Sequence, residues 1–120
     1  MADRPLVCLV DDDESVREAL PALVRELGYA VAAFSSAKEY LASNLVGRTR
    51  CLLLDIAMPG MSGPELQDKL KARQYNIPVI FITANGGASL TGLTQQGAIA
   101  CLLKPFTDQA LLKALETALS

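Results

Sequence analysis

Three carboxylates and one ammonium stand directly after apolar runs in this chain. Asp11 and Asp12 follow Leu6–Val10, Asp55 follows Leu52–Leu54, and Lys104 follows Leu102-Leu103. Short apolar runs separated by helix-length amphipathic stretches predict the buried strands of a parallel α/β sheet. In such a sheet, ligands bind in the crevice outside the carboxyl ends of the strands. The acids and the lysine are therefore expected at one edge of the molecule. Carboxylates gathered there raise one another's pKa unless a cation sits between them. Mg²⁺ suits the place, because it takes oxygen ligands and is usually shared between one or two carboxylates and phosphate oxygens. Asp55 is then a candidate nucleophile that would form an aspartyl-phosphate. Lys104 offers a point charge to phosphoryl oxygens, and Thr83, at the end of another apolar run, offers a hydroxyl donor.

The elements that must position these groups are five strand–helix units with no linker or repeat between them. Leu6–Val10, Ala30–Phe34, Cys51–Leu54, Val79–Ile82 and Ile99–Leu103 are the expected strands. Ser15 and Glu18 fit a capping box, opening a helix that carries Val16, Leu20, Leu23, Val24 and Leu27 at helical spacing and closes at Gly28. Pro21 falls inside it, where a proline normally kinks or weakens a helix. Ser36 and Glu39 predict a second capping box and a helix to about Leu45. Gly63-Pro64 predicts a helix start with proline in first position, and Thr107 caps a last helix to Leu119. Gly86–Gln96 is a poor helix former, with Gly86, Gly87 and Gly92 in it.

At 120 residues, the chain fits one domain. Its net charge of −2 gives no electrostatic reason to expect nucleic acid or an acidic membrane as a direct partner. No apolar run reaches the roughly 18 residues of a membrane span, and no signal-peptide core opens the sequence, so a cytoplasmic location is expected. Cys8, Cys51 and Cys101 read as small buried core residues in a reducing compartment. Histidine is absent altogether, which excludes a Ser-His-Asp triad, histidine metal sites and a phosphohistidine donor role.

Val10-Asp11-Asp12-Asp13, the segment Leu54-Asp55-Ile56-Ala57-Met58-Pro59-Gly60-Met61-Ser62-Gly63, Thr83-Ala84 and Lys104-Pro105-Phe106 together resemble the receiver domain of two-component response regulators. The likeness spans essentially residues 1–120. Ser36-Ala37-Lys38-Glu39-Tyr40-Leu41 and Asn76-Ile77-Pro78 bring it closest to the FixJ-type regulators. The resemblance implies a doubly wound, five-stranded parallel sheet in the order 2-1-3-4-5 with helices on both faces, as in flavodoxin. It further implies that Asp55 accepts a phosphoryl group from a sensor histidine kinase or a histidine phosphotransfer protein. Asp11 and Asp12 would hold Mg²⁺ together with Asp55 and the backbone carbonyl of Ala57. Lys104 would pair with the phosphoryl group, while Thr83 and the Ala84 amide would bind its oxygens, and the Lys104-Pro105 bond would be cis. Such a module is not an enzyme beyond its own phosphotransfer and dephosphorylation. The FixJ likeness favours a DNA-binding output domain downstream. A homodimer on phosphorylation is expected through the fourth-helix to fifth-helix face, given apolar residues such as Leu90, Leu93 and Leu111 that also fit a core.

Cys101 stands where receivers usually carry the aromatic residue of their switch, so order–disorder of Ala84–Gln96 is an alternative way to transmit phosphorylation. Ala57 and Asn85 are expected to modulate hydrolysis of the phosphoaspartate. Asp13 reads as favourable helix N-terminal charge. Three competing functions stay open. Leu9–Asp13 also fits a haloacid-dehalogenase-like phosphatase with Asp11 as nucleophile and Asp13 as acid. A receiver never phosphorylated is the second, and a flavodoxin-like electron carrier the third.

Overall fold

The computed structural model describes residues 4–84 and 98–119. Five parallel strands, β1 (Leu6–Val10), β2 (Ala30–Phe34), β3 (Cys51–Asp55), β4 (Val79–Thr83) and β5 (Ala100–Leu103), form one sheet in the order β2-β1-β3-β4-β5. This is the doubly wound order expected from the resemblance. Register pairs Val10 with Leu54 and Asp55 with Ile82, so the carboxyl ends of the three central strands lie level.

Burial on both faces explains why the strands are apolar throughout rather than alternating. Cys8, Val10, Leu52, Leu54, Val79 and Phe81 face one core with Tyr40, Leu66 and Leu70. Their strand neighbours Val7, Leu9, Cys51, Leu53, Ile80 and Ile82 face a second core with Leu20, Val24, Leu111 and Leu115. Helices α2 (Ala37–Ala42) and α3 (Gly63–Ala72) cover the first face; α1 (Glu14–Glu26) and the C-terminal helix (Asp108–Leu119) cover the second. Among the described residues, no helix is long and apolar enough to cross a membrane.

Several boundaries differ from the expected ones. α1 is capped by Asp13, not Ser15: the Asp13 Oδ1 accepts from the Ser15 amide at 2.9 Å, so the helix starts at Glu14. The Ser15–Glu18 pattern loses because the Asp13 amide is itself held by Asp11 Oδ1 at 2.9 Å, fixing the turn two residues earlier. The helix runs on through a buried Pro21 and closes at Gly28, whose φ of +102° needs glycine. α2 stops at Ala42 instead of Leu45. There the Ser43 hydroxyl donates to Tyr40 O at 2.7 Å and accepts from the Leu45 amide at 3.2 Å, competing with the helix for backbone groups. A 3₁₀ turn, Val46–Arg48, follows.

α3 is capped by Ser62 in a complete capping box with Glu65, which places Gly63 first and Pro64 second. Strand β5 begins at Ala100, leaving Ile99 41 % exposed. Thr107 does cap the C-terminal helix, accepting from the Ala110 amide at 3.0 Å. Leu111 is fully buried in the second core, so it serves packing rather than a dimer surface. Cys8 and Cys51 are buried as expected, but Cys101 is only half-buried because it sits on the sheet's edge strand. The expectations for Asn85, for Gly86–Gln96 and for Leu90 and Leu93 lie outside the described residues.

Candidate functional site

Strand ends bring the site together. Asp55 and Thr83 are the last residues of β3 and β4, and Asp11 follows the last residue of β1. All three are nearly sealed from solvent, with Asp11 at 0 %, Asp55 at 7 % and Thr83 at 6 % exposure. Asp12, next to Asp11, faces out. Carboxylate oxygens of Asp11, Asp12 and Asp55 all lie within 4.8 Å of one another. Lys104 reaches them from beyond β5, its Nζ donating to Asp11 Oδ2 at 2.9 Å. Its backbone amide donates to Thr83 O at 2.7 Å, and the Lys104-Pro105 peptide is cis.

Asp12, Asp13, Asp55, Ala57, Thr83, Ala84 and Lys104 line one crevice of about 450 Å³. Every residue expected in the site is therefore in or beside this crevice. Ala57 enters through its amide, which donates to Asp55 Oδ1 at 3.4 Å.

The electrostatics are unbalanced. Burial pushes the Asp55 carboxyl up to about 7, and the nearby Asp11 charge adds to the rise, against the opposing pull of Lys104 and the Ala57 amide. Burial lowers the Lys104 pKa, but the hydrogen bond to Asp11 and the charges of Asp11, Asp55 and Asp13 outweigh it, leaving the ammonium above its ordinary value. One ammonium thus faces three carboxylates. Buried beside Asp11 with a single shared ammonium, Asp55 is partly protonated at neutral pH unless a second cation binds. The donor set, all hard carboxylate oxygen with no histidine or thiolate in the cluster, fits Mg²⁺.

Two supporting contacts steady Asp11. The Arg17 guanidinium donates to the Asp11 backbone carbonyl at 2.8 Å, tying α1 to the strand end. Asp13 caps α1 through Oδ1 and gives its amide to Asp11 Oδ1, holding that carboxylate.

Fold and site together define a receiver of two-component signalling. A model of the response regulator receiver domain matches residues 7–116, and the chain belongs to that family. Among curated relatives, nodulation protein W of Bradyrhizobium diazoefficiens is 42 % identical over 116 residues, covering 96 % of this chain and 51 % of that protein. The transcriptional regulatory protein FixJ of Azorhizobium caulinodans is 37 % identical over 114 residues, covering 94 % and 54 %. The crystal structure of FixJ-N superimposes with a TM-score of 0.85 at 36 % identity, covering 98 % of this chain and 94 % of that one. The FixJ-type likeness read from the motifs is borne out. This chain spans about half the length of the curated relatives it matches.

Proposed function

We propose that this receiver is phosphorylated on Asp55 by a phosphohistidine of a sensor histidine kinase or of a histidine phosphotransfer protein. The observation that carries the reading is the convergence of Asp11, Asp12, Asp55 and Lys104 from positions up to 93 residues apart on one crevice at the carboxyl end of the sheet. An Asp55 carboxylate oxygen attacks phosphorus, a P–O bond forms, the P–N bond to the donor imidazole breaks, and the imidazole nitrogen takes a proton. Lys104 exchanges part of its contact with Asp11 for a phosphoryl oxygen. The Thr83 hydroxyl and the Ala84 amide donate to the remaining oxygens.

Asp11, Asp12, Asp55 and the Ala57 carbonyl would hold Mg²⁺, which when bound neutralises the carboxylates and the transferred oxygens. The resulting acyl phosphate adds roughly −1.5 to −2 charges to the crevice, enough to bias a two-state surface. The module catalyses only its own phosphotransfer and the later hydrolysis, over which Ala57 leaves room for water.

Residues 1–120 act as a single cytoplasmic receiver domain, without contacting nucleic acid or membrane. The regulatory names of its relatives fit a DNA-binding output domain in the full protein. Pairing of two copies on phosphorylation would use the β5 edge, where Ile99 and Leu103 are exposed.

Acetyl phosphate with Mg²⁺, followed by peptide mass spectrometry, tests the assignment. Label on Asp55 and none in Asp55→Asn is expected. Label on Asp11 would instead support the phosphatase reading and overturn this one.

A further inference from the structure

Helix α3 begins directly behind the proposed acceptor. Gly63 is its first residue, fully enclosed, and its amide donates to the Ile56 carbonyl at 2.9 Å. A Cβ on Gly63 would collide with the Asp55 backbone carbonyl oxygen and would lie 3.1 Å from both Ile56 Cα and the Phe81 ring. The principal obstacle is main chain, and that main chain is tethered. The Ile56 amide donates to Ile82 O at 3.1 Å, and the Ala57 amide to Asp55 Oδ1 at 3.4 Å. Nothing there can swing aside as the end of a long side chain would. Retreat of the helix would break the hydrogen bond from the Gly63 amide to the Ile56 carbonyl.

Gly60, three residues earlier, is a useful contrast. It needs glycine for its φ of +79°, yet nothing lies within 4 Å of where a Cβ would stand. Gly60 answers a conformational demand; Gly63 answers a demand for space beside one particular residue.

We propose that Gly63 is a positioning residue for phosphoryl transfer. Its missing side chain lets the first turn of α3 abut the Asp55-Ile56 backbone, and that buttress sets where the Asp55 carboxylate stands relative to Asp11 and Lys104. The proposal rests on the reading of Asp55 as acceptor. A methyl group at residue 63 forces either α3 or the end of β3 to move. Displacements on the order of 1 Å at a reacting group can cost about 100-fold in rate.

The test compares acetyl-phosphate labelling rates at saturating Mg²⁺ for the wild type, Gly63→Ala, Gly60→Asn, Phe81→Leu and the Gly63→Ala/Phe81→Leu pair. All are measured well below their unfolding midpoints. Gly63→Ala should label at least about tenfold more slowly, whereas Gly60→Asn, a residue tolerant of positive φ, should stay within about twofold. Relative to Phe81→Leu, the double variant should stay as slow as Gly63→Ala is relative to wild type. A Gly63→Ala protein that is merely less stable but labels at the wild-type rate overturns the proposal. So does rescue by Phe81→Leu, which would assign the defect to ring crowding.

Should Gly63→Ala fail to fold, the wild type alone decides. Mg²⁺ with beryllofluoride should slow exchange of the Gly63 amide by about tenfold more than that of Leu66, since only the former is tied to the Asp55-Ile56 unit. Equal changes at both amides overturn it. Absence of any wild-type label removes the acceptor assignment and this proposal with it, whereas equal label in wild type and variant removes this proposal alone.

Discussion

Two buried polar clusters on this sheet are built on opposite plans. In one, the Thr49 hydroxyl donates to Leu45 O at 2.8 Å, so its neighbours must donate to it: Tyr40 OH at 2.8 Å and Cys8 Sγ at 3.3 Å. Burial pushes Tyr40 up to about 12 and also raises Cys8, keeping both protonated as donors. Every group is neutral and satisfied. In the other cluster, the carboxylates of Asp11, Asp12 and Asp55 converge while one lysine pairs with Asp11, and Asp55 is left partly protonated near neutrality. The first arrangement can only stabilise. The second is destabilising as it stands and is relieved by a cation, so ligand binding and folding are linked there.

The contrast can be broken most sharply by removing one member of each cluster. Asp55→Asn should abolish phosphoryl labelling, while Thr49→Val should leave the labelling rate of the folded protein within about twofold of wild type, since side chains outside a catalytic site rarely change its chemistry. Lys104→Met, which removes the ammonium that faces the transferred oxygens, should slow labelling by about 10²- to 10³-fold.

Stability should divide the two clusters by pH. The folded-state pKa of Asp55 is raised above its ordinary 3.8 to about 7. Its contribution is therefore fully present below pH 4 and lost as pH rises through 7. Urea unfolding without Mg²⁺ should find Asp55→Asn close to wild type at pH 4 but more stable by roughly 2–4 kcal/mol at pH 8. Thr49→Val, which strips an acceptor from two buried donors, should cost about 1–3 kcal/mol with little change between pH 5 and 8. A pH-dependent loss there would show that the neutral cluster is not neutral. Smallest of all, Ser62→Ala should cost about 1 kcal/mol through the lost cap of α3, read from the urea midpoint.

The charged cluster was far more legible in the sequence than the neutral one. Asp11, Asp55, Thr83 and Lys104 each mark the end of an apolar run, and a parallel sheet must carry such ends to one edge. Strand identity follows from the same runs, whereas strand order came from the receiver resemblance. Nothing local marks Thr49 as the partner of Cys8, 41 residues away, because a single threonine after a short apolar stretch fits any loop. Helix starts failed where two local signals competed. Ser15 and Glu18 have capping-box spacing, but the Asx turn from Asp11 to Asp13 closes first and gives the cap to Asp13. Arg17 was invisible for a related reason: its helix face is legible, but its acceptor is a backbone carbonyl, which has no residue type.

Carbon-detected NMR titration of the Asp55 side-chain carboxyl, with and without Mg²⁺, probes the central electrostatic claim most directly. Without metal, Asp55 should titrate near 7, and saturating Mg²⁺ should carry that midpoint well down into the acid range. An Asp55 that titrates like an ordinary surface aspartate, or one whose midpoint ignores Mg²⁺, would contradict the account.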